Sequence, residues 1–299
     1  MSMNINSKIL SQKFEYFAPK TLEEALNLLN QFRDTNIKVL AGGTDLLVKM
    51  KTDENIKVDY LVNIKSIPEL NFIVTEEGVK IGATTPLSMI EREEKIITEY
   101  SALSEGIKSM AAIAIRNMGT MVGNICNASP AGDTIPPLMA FNASVKLANK
   151  EGTRSVLVED FIIGTGETIL KPDELVVQVN IPKINVNSGS AFSKKSRISA
   201  DIAKINLAVW LEREGKICTD CRIVFGSVFF KTIRAKKAEE LLRGQEVNPD
   251  LIIKVAKKTS EEIRPIDDIR STAEYRNALA RVMAEDTLKL AWKRAGGEL

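Results

Sequence analysis

The chain has 299 residues, enough for two or three domains, and its 41 basic and 39 acidic residues leave a formal charge of +2. That balance shows no electrostatic footprint for nucleic acid or an anionic membrane, and no apolar run reaches spanning length. It contains no histidine, which excludes histidine acid–base chemistry, Ser-His and Cys-His nucleophile pairs, and histidine-ligated metals. The N-terminal MSMNINSKILSQKF lacks an apolar core and a small-residue cleavage site, so it does not read as a secretory signal. A cytoplasmic protein is the simplest expectation.

Phe14 to Phe17 reads as a short aromatic strand, followed by a turn at Ala18-Pro19-Lys20. Thr21 and Glu24 match a capping box, and Leu22, Ala25, Leu26, Leu29 and Phe32 recur at helical spacing, predicting a helix from Leu22 to Arg33. Ile37 to Ala41 reads as a buried strand running into Gly42-Gly43-Thr44-Asp45. A strand ending in Gly-Gly-Thr suits a phosphate cradle, although Gly-Gly also makes hairpins. It matches neither the dinucleotide G-x-G-x-x-G fingerprint nor a P-loop. Val58 to Ile64 and Ile73 to Ile81 read as strands. Thr85 with Pro86 predicts the start of a helix from Leu87 to about Ile97, and Ser101 to Ile113 a second one.

Ile115 to Pro137, IRNMGTMVGNICNASPAGDTIPP, shows neither helical period nor strand alternation. Its apolar Ile115, Met118, Met121, Val122, Ile125 and Ile135 argue against disorder. A long irregular segment in a compact chain is usually functional, and its glycines allow close backbone approach and free amides for an anion. The alternative is a set of tight turns packed under the core.

Beyond it, Ser144 to Ala148, Arg154 to Val158 and Glu174 to Ile181 read as strands. The Asn-, Ser- and Gly-rich stretch from Pro182 to Ser190 reads as a domain boundary. Ile202 to Arg213 and the Cys218 strand form a hairpin about Glu214-Gly215. Thr232 to Leu242, Pro249 to Glu262 and Ala273 to Arg294 read as helices, the last with Ala278, Val282, Leu288 and Ala291 on its apolar face. The second half is thus an antiparallel sheet with helices, an α+β layer. Three cysteines, Cys126, Cys218 and Cys221, are too few for an iron–sulfur cluster. Cys218 and Cys221 form a C-x-x-C on a strand, where residues three apart are expected to face opposite ways and act as small hydrophobes.

Four blocks in order carry a resemblance: VLAGGTDL (Val39 to Leu46), IRNMGTMVGN with NASPAGDT, AFSKKSR (Ala191 to Arg197) and TAEYRNALA (Thr272 to Ala280). They resemble the FAD-binding medium subunits of the molybdenum hydroxylases, such as bacterial xanthine, carbon monoxide and nicotinate dehydrogenases. The resemblance spans nearly the whole chain. It implies an α+β fold: a two-subdomain FAD-binding domain of the PCMH, vanillyl-alcohol-oxidase-like type over residues 9–184, then a C-terminal α+β domain over residues 190–296. It implies a diphosphate held by the loop Val39, Leu40, Ala41, Gly42, Gly43, Thr44, Asp45 and Leu46. A second loop, Thr120, Met121, Val122, Gly123 and Asn124, would close on it from the other side. Asp133 would anchor FAD through hydrogen bonds, Val176 would pack on the flavin, and Lys194 would place a cation near the pyrimidine end to favour the reduced anion. A one-residue slip would give that last role to Lys195 or leave Ser193 there.

No catalytic residue or metal ligand is expected on this chain. The implied cofactor is non-covalent FAD, with 2Fe-2S clusters on a small partner subunit and molybdopterin on a large one. The implied role is electron transfer from those clusters through FAD to NAD⁺ or another acceptor. The alternatives are a stand-alone FAD-dependent reductase on the same fold and a FAD-free scaffold subunit.

Overall fold

The computed structural model describes residues 12–198 and 200–299. Most of the N-terminal segment read above, and residues 9–11 of the expected first domain, lie outside the described residues.

The first layer is a three-stranded parallel sheet in the order Glu15–Phe17, Tyr60–Asn63, Ile37–Leu40. Its parallel pairing requires crossover connections, and the helix Leu22–Gln31 is one of them. Thr21 caps that helix by accepting from the Glu24 amide at 3.1 Å, while the Glu24 carboxylate accepts from the Lys20 amide. The reciprocal bond therefore falls one residue earlier than a strict capping box would place it.

The second layer is a five-stranded antiparallel sheet: Ile73–Val74, Val79–Gly82, Leu175–Ile181, Ser144–Asn149, Gly152–Leu157. Ile73 to Ile81, read above as one strand, is two strands folded on each other about Gly78, whose φ of 88° needs a glycine. The helix expected from Leu87 to Ile97 is two pieces, Leu87–Ile90 and Glu94–Thr98. Thr85 does not cap the first, because its hydroxyl is committed to the Phe72 amide and carbonyl at 3.1 and 3.0 Å.

The last layer is an antiparallel sheet of Ser188–Lys195, Ile205–Glu214, Ile217–Gly226 and Ile233–Arg234. It is covered on both faces. Phe192, Ala208, Trp210 and Val224 join the core of the first half, whereas Leu207, Val209, Leu211, Ile223 and Phe225 pack under the C-terminal helices. Two buried faces explain why INLAVWL is continuously apolar instead of alternating. The helix Ala273–Arg294 buries Ala280, Met283, Ala284, Thr287, Leu288, Ala291 and Trp292 against this sheet. Ala278 and Val282, assigned above to that face, are exposed, Val282 by 57%. The true stripe was masked by two polar members. Thr287 shares a 2.7 Å hydrogen bond with Ser193, and the buried Arg276 donates to Asp268 at 2.7 Å.

The two C-x-x-C cysteines do not face opposite ways. The register between Ile205–Glu214 and Ile217–Gly226 shifts after Glu212, so Asp220 opposes Glu212 and Cys218 opposes Arg213, with Thr219 left over. This β-bulge turns Cys218 back to the side of Cys221, and both are fully buried in the C-terminal core. The Cys218 thiol beside it, together with burial, raises the Cys221 pKa. Burial pushes the Cys126 thiol up to about 12. Reactivity needs the thiolate. At pH 8 the folded protein is expected to resist an aromatic disulfide reagent at the fully buried Cys221, and all three thiols should react in denaturant. Rapid labelling of Cys221 in the folded protein, mapped by mass spectrometry, would contradict this.

Candidate functional site

Between the two layers of the first half, and closed at one end by the last sheet, lies a cleft of about 590 Å³. That is within the roughly 300–1,000 Å³ of small-molecule and cofactor sites. All the residues named above for cofactor binding line it except Met121. The Met121 side chain is fully buried in the core, as expected of the first residue of a short helix packed inward.

The first wall is the turn after the strand Ile37–Leu40. Gly43 adopts φ 76°, which turns the chain into the helix Leu46–Thr52, and Leu40 and Leu47 crowd its α-carbon. Among the described residues, the amides of Gly42, Gly43, Thr44 and Asp45 find no acceptor within the chain. The second wall comes from Ile115 to Pro137, which is more helical than its pattern implied. Met121–Asn127 and Ile135–Ala140 are helices there. Thr120 starts the former by accepting from the Gly123 amide at 2.9 Å. Pro136 and Pro137 sit in the first turn of the latter, where no amide hydrogen is required.

The two walls touch backbone to backbone. A Cβ on Gly42 would collide with the Met118 carbonyl and come within 2.7 Å of the Gly119 α-carbon. Asn127 links them again, donating to Asp45 at 3.0 Å and accepting from Lys49 at 2.6 Å. Burial raises the Asp45 carboxyl, with Lys49 opposing.

At the end closed by the last sheet, the Lys194 ammonium and the Asp133 carboxylate form a 2.7 Å ion pair, each side chain only 6% exposed. The Lys194 ammonium also donates to the Ser109 carbonyl at 3.0 Å, and Asn206 donates to the other Asp133 oxygen at 2.8 Å. Burial pushes the Asp133 carboxyl above its ordinary range, with Lys194 and Asn206 pulling the other way. The charge of Lys194 is matched inside the cleft by Asp133. Strand alternation decides between the neighbours. Lys194 points into the cleft, Lys195 is exposed, and Ser193 faces the C-terminal helix. Val176 lies on the cleft wall beside a register shift between Val176 and Gln178.

Several lining residues were not legible beforehand. Met110 and Ala111 follow the helix Ser101–Ser109, which was expected to run on to Ile113 but ends where Ala111 turns left-handed. Leu170 and Ala200 also line the cleft and carry no motif. Asn206 lies within an apolar run, where one polar residue was the available signal.

Comparison with known proteins agrees along the chain. A profile described as the FAD binding domain in molybdopterin dehydrogenase matches residues 12–184. One described as the CO dehydrogenase flavoprotein C-terminal domain matches residues 190–291. The glyceraldehyde dehydrogenase medium chain of Sulfolobus acidocaldarius is 31% identical over 278 residues, covering 93% of this chain and 98% of that one. The carbon monoxide dehydrogenase medium chain of Hydrogenophaga pseudoflava is 31% identical over 288 residues, covering 96% and 99%. A solved structure of carbon monoxide dehydrogenase from Hydrogenophaga pseudoflava, lacking the Mo-pyranopterin moiety of its cofactor, superposes with a TM-score of 0.91 at 32% identity. It covers 96% of this chain and 99% of that one. The chain is a member of the FAD-binding medium subunits of the molybdenum hydroxylases, components of multi-subunit oxidoreductases.

Proposed function

We propose that the cleft holds non-covalent FAD and that the chain relays electrons within a three-subunit molybdenum hydroxylase. The observation that carries this reading is the pair of glycine loops in backbone contact, one of them lining the cleft with four amides that have no acceptor among the described residues. The residues present fit such a cofactor. The amides of Gly42 to Asp45 and the first turn after Thr120 would hold the diphosphate. Asp133, kept in place by Lys194 and Asn206, would accept hydrogen bonds farther along, and Val176 offers an apolar surface. When bound, FAD supplies the two-electron chemistry, taking electrons from 2Fe-2S clusters on a small subunit and passing them to NAD⁺ or another acceptor. The hydroxylated substrate would bind on a large molybdopterin subunit. In this reading residues 9–184 form the FAD-binding domain and residues 190–296 the C-terminal domain.

The chain's own residues contribute position and electrostatics. The loops present backbone donors to the cofactor without charging the cleft. The Asp133–Lys194 pair presents a fixed dipole instead of a net charge, so it orients polar groups with little change in the cleft's total charge.

The native complex, co-purified with its partners, should show flavin absorbance and release FAD on denaturation. Gly42→Ala should assemble but lose most of its flavin, because a Cβ there drives the two walls apart. A wild-type complex that releases no FAD on denaturation, or full FAD content in Gly42→Ala, would overturn the assignment.

The ion pair gives a second test. Lys194→Met should lower stability by about 3 kcal/mol in urea unfolding, since it leaves a buried carboxylate unpaired. Asp133→Leu/Lys194→Met should recover most of that loss while still failing to retain FAD. Equal stability of wild type and Lys194→Met would show that the pair is not formed.

A further inference from the structure

Ala111 lines the cleft with φ 46°, a left-handed conformation that costs a residue with a Cβ about 1–2 kcal/mol. Strain of this kind persists only where surrounding groups over-determine it. Here they do. The Arg116 guanidinium donates from Nη1 to the carbonyls of Met110 and Ala111, at 2.9 and 2.8 Å. Its Nε and Nη2 donate to the two carboxylate oxygens of Glu91, at 2.9 and 3.4 Å. The fork is largely buried, with Arg116 12% and Glu91 20% exposed. Arg116 ends the single-turn helix Ile113–Arg116, and three residues later Gly119 meets Gly42. One side chain thus ties the strained turn on one wall of the cleft to the segment that closes the other.

We propose that Arg116, oriented by Glu91, is a positioning residue for the cofactor cleft: it holds Ala111 left-handed so that Met110 and Ala111 form a fixed apolar wall. The proposal rests on the reading of the cleft as a FAD site and adds a residue to it. Nη1 serves both carbonyls while Nε and Nη2 hold both Glu91 oxygens, a fixed fork that a planar guanidinium supplies and a lysine ammonium does not.

The test uses the purified complex. Arg116→Met with Glu91→Gln removes the fork without leaving a buried charge alone. Its FAD dissociation constant, from flavin absorbance after equilibrium dialysis, should rise about tenfold, the equivalent of releasing the strain. Adding Ala111→Gly to that pair should restore most of the affinity, because glycine takes the left-handed conformation without a brace. Arg116→Lys should behave like the pair, not like wild type.

Unchanged affinity in Arg116→Met/Glu91→Gln would overturn the proposal, as would a loss that Ala111→Gly fails to rescue, which would make Arg116 merely structural. In both cases FAD in the wild-type complex leaves the reading of the cleft standing. A wild-type complex without FAD would bring down both.

Discussion

The approach of Gly42 to Met118 and Gly119 is the constraint on which the site depends. It brings two segments far apart in sequence to backbone separation, a distance that no side chain at position 42 permits. The near end of the cleft is built around that contact. Beside it, the half-exposed turn at Gly43 leaves the amides of residues 42–45 without an acceptor in the chain, among the described residues. The helix Met121–Asn127 starts where it does because Thr120 must cap it directly after the contact. The Asn127 bridge to Asp45 and Lys49 repeats the closure at the other end of that helix. An anion in such a place meets oriented donors already held in position, so little ordering remains to be done on binding.

The far end of the cleft is governed by electrostatics instead. Asp133 arrives on the irregular segment of the first half, whereas Lys194 and Asn206 arrive on adjacent strands of the last sheet. The hold is reinforced nearby, where the Ser227 amide donates to the Pro130 carbonyl at 2.8 Å and a Cβ on Gly226 would come within 2.7 Å of the same oxygen. A buried ion pair adds little net stability over an apolar replacement, but breaking one partner is costly. Such a pair suits geometry better than affinity. It fixes where the loop of Asp133 sits and keeps the cleft close to neutral.

The glycine loops were legible in the sequence because their signals are local: Gly-Gly after a strand, and glycine with asparagine and proline where period fails. Lys194 was legible only to within a residue, since choosing it over Lys195 needs the register of the strand Ser188–Lys195, which is set by its partner. The C-x-x-C was misread for a related reason. A bulge is a property of two strands, and nothing within residues 217–226 announces it. The stripe of Ala273–Arg294 was displaced because Thr287 and Arg276 are buried with their hydrogen bonds satisfied elsewhere in the fold. Asn206 and Arg116 were missed as site residues altogether. Each acts through another group, Asn206 on Asp133 and Arg116 on the carbonyls of Met110 and Ala111, and a sequence pattern records residue types, not the orientation of their bonds.

The division of the cleft between the two halves has a consequence for how the protein is made. A ribosome delivers both glycine loops long before it delivers the strands that carry Lys194 and Asn206. Until Asn206 has emerged and the last sheet has folded, Asp133 is a solvated carboxylate on an open loop. The nascent first half therefore exposes a cleft whose far end is not yet closed.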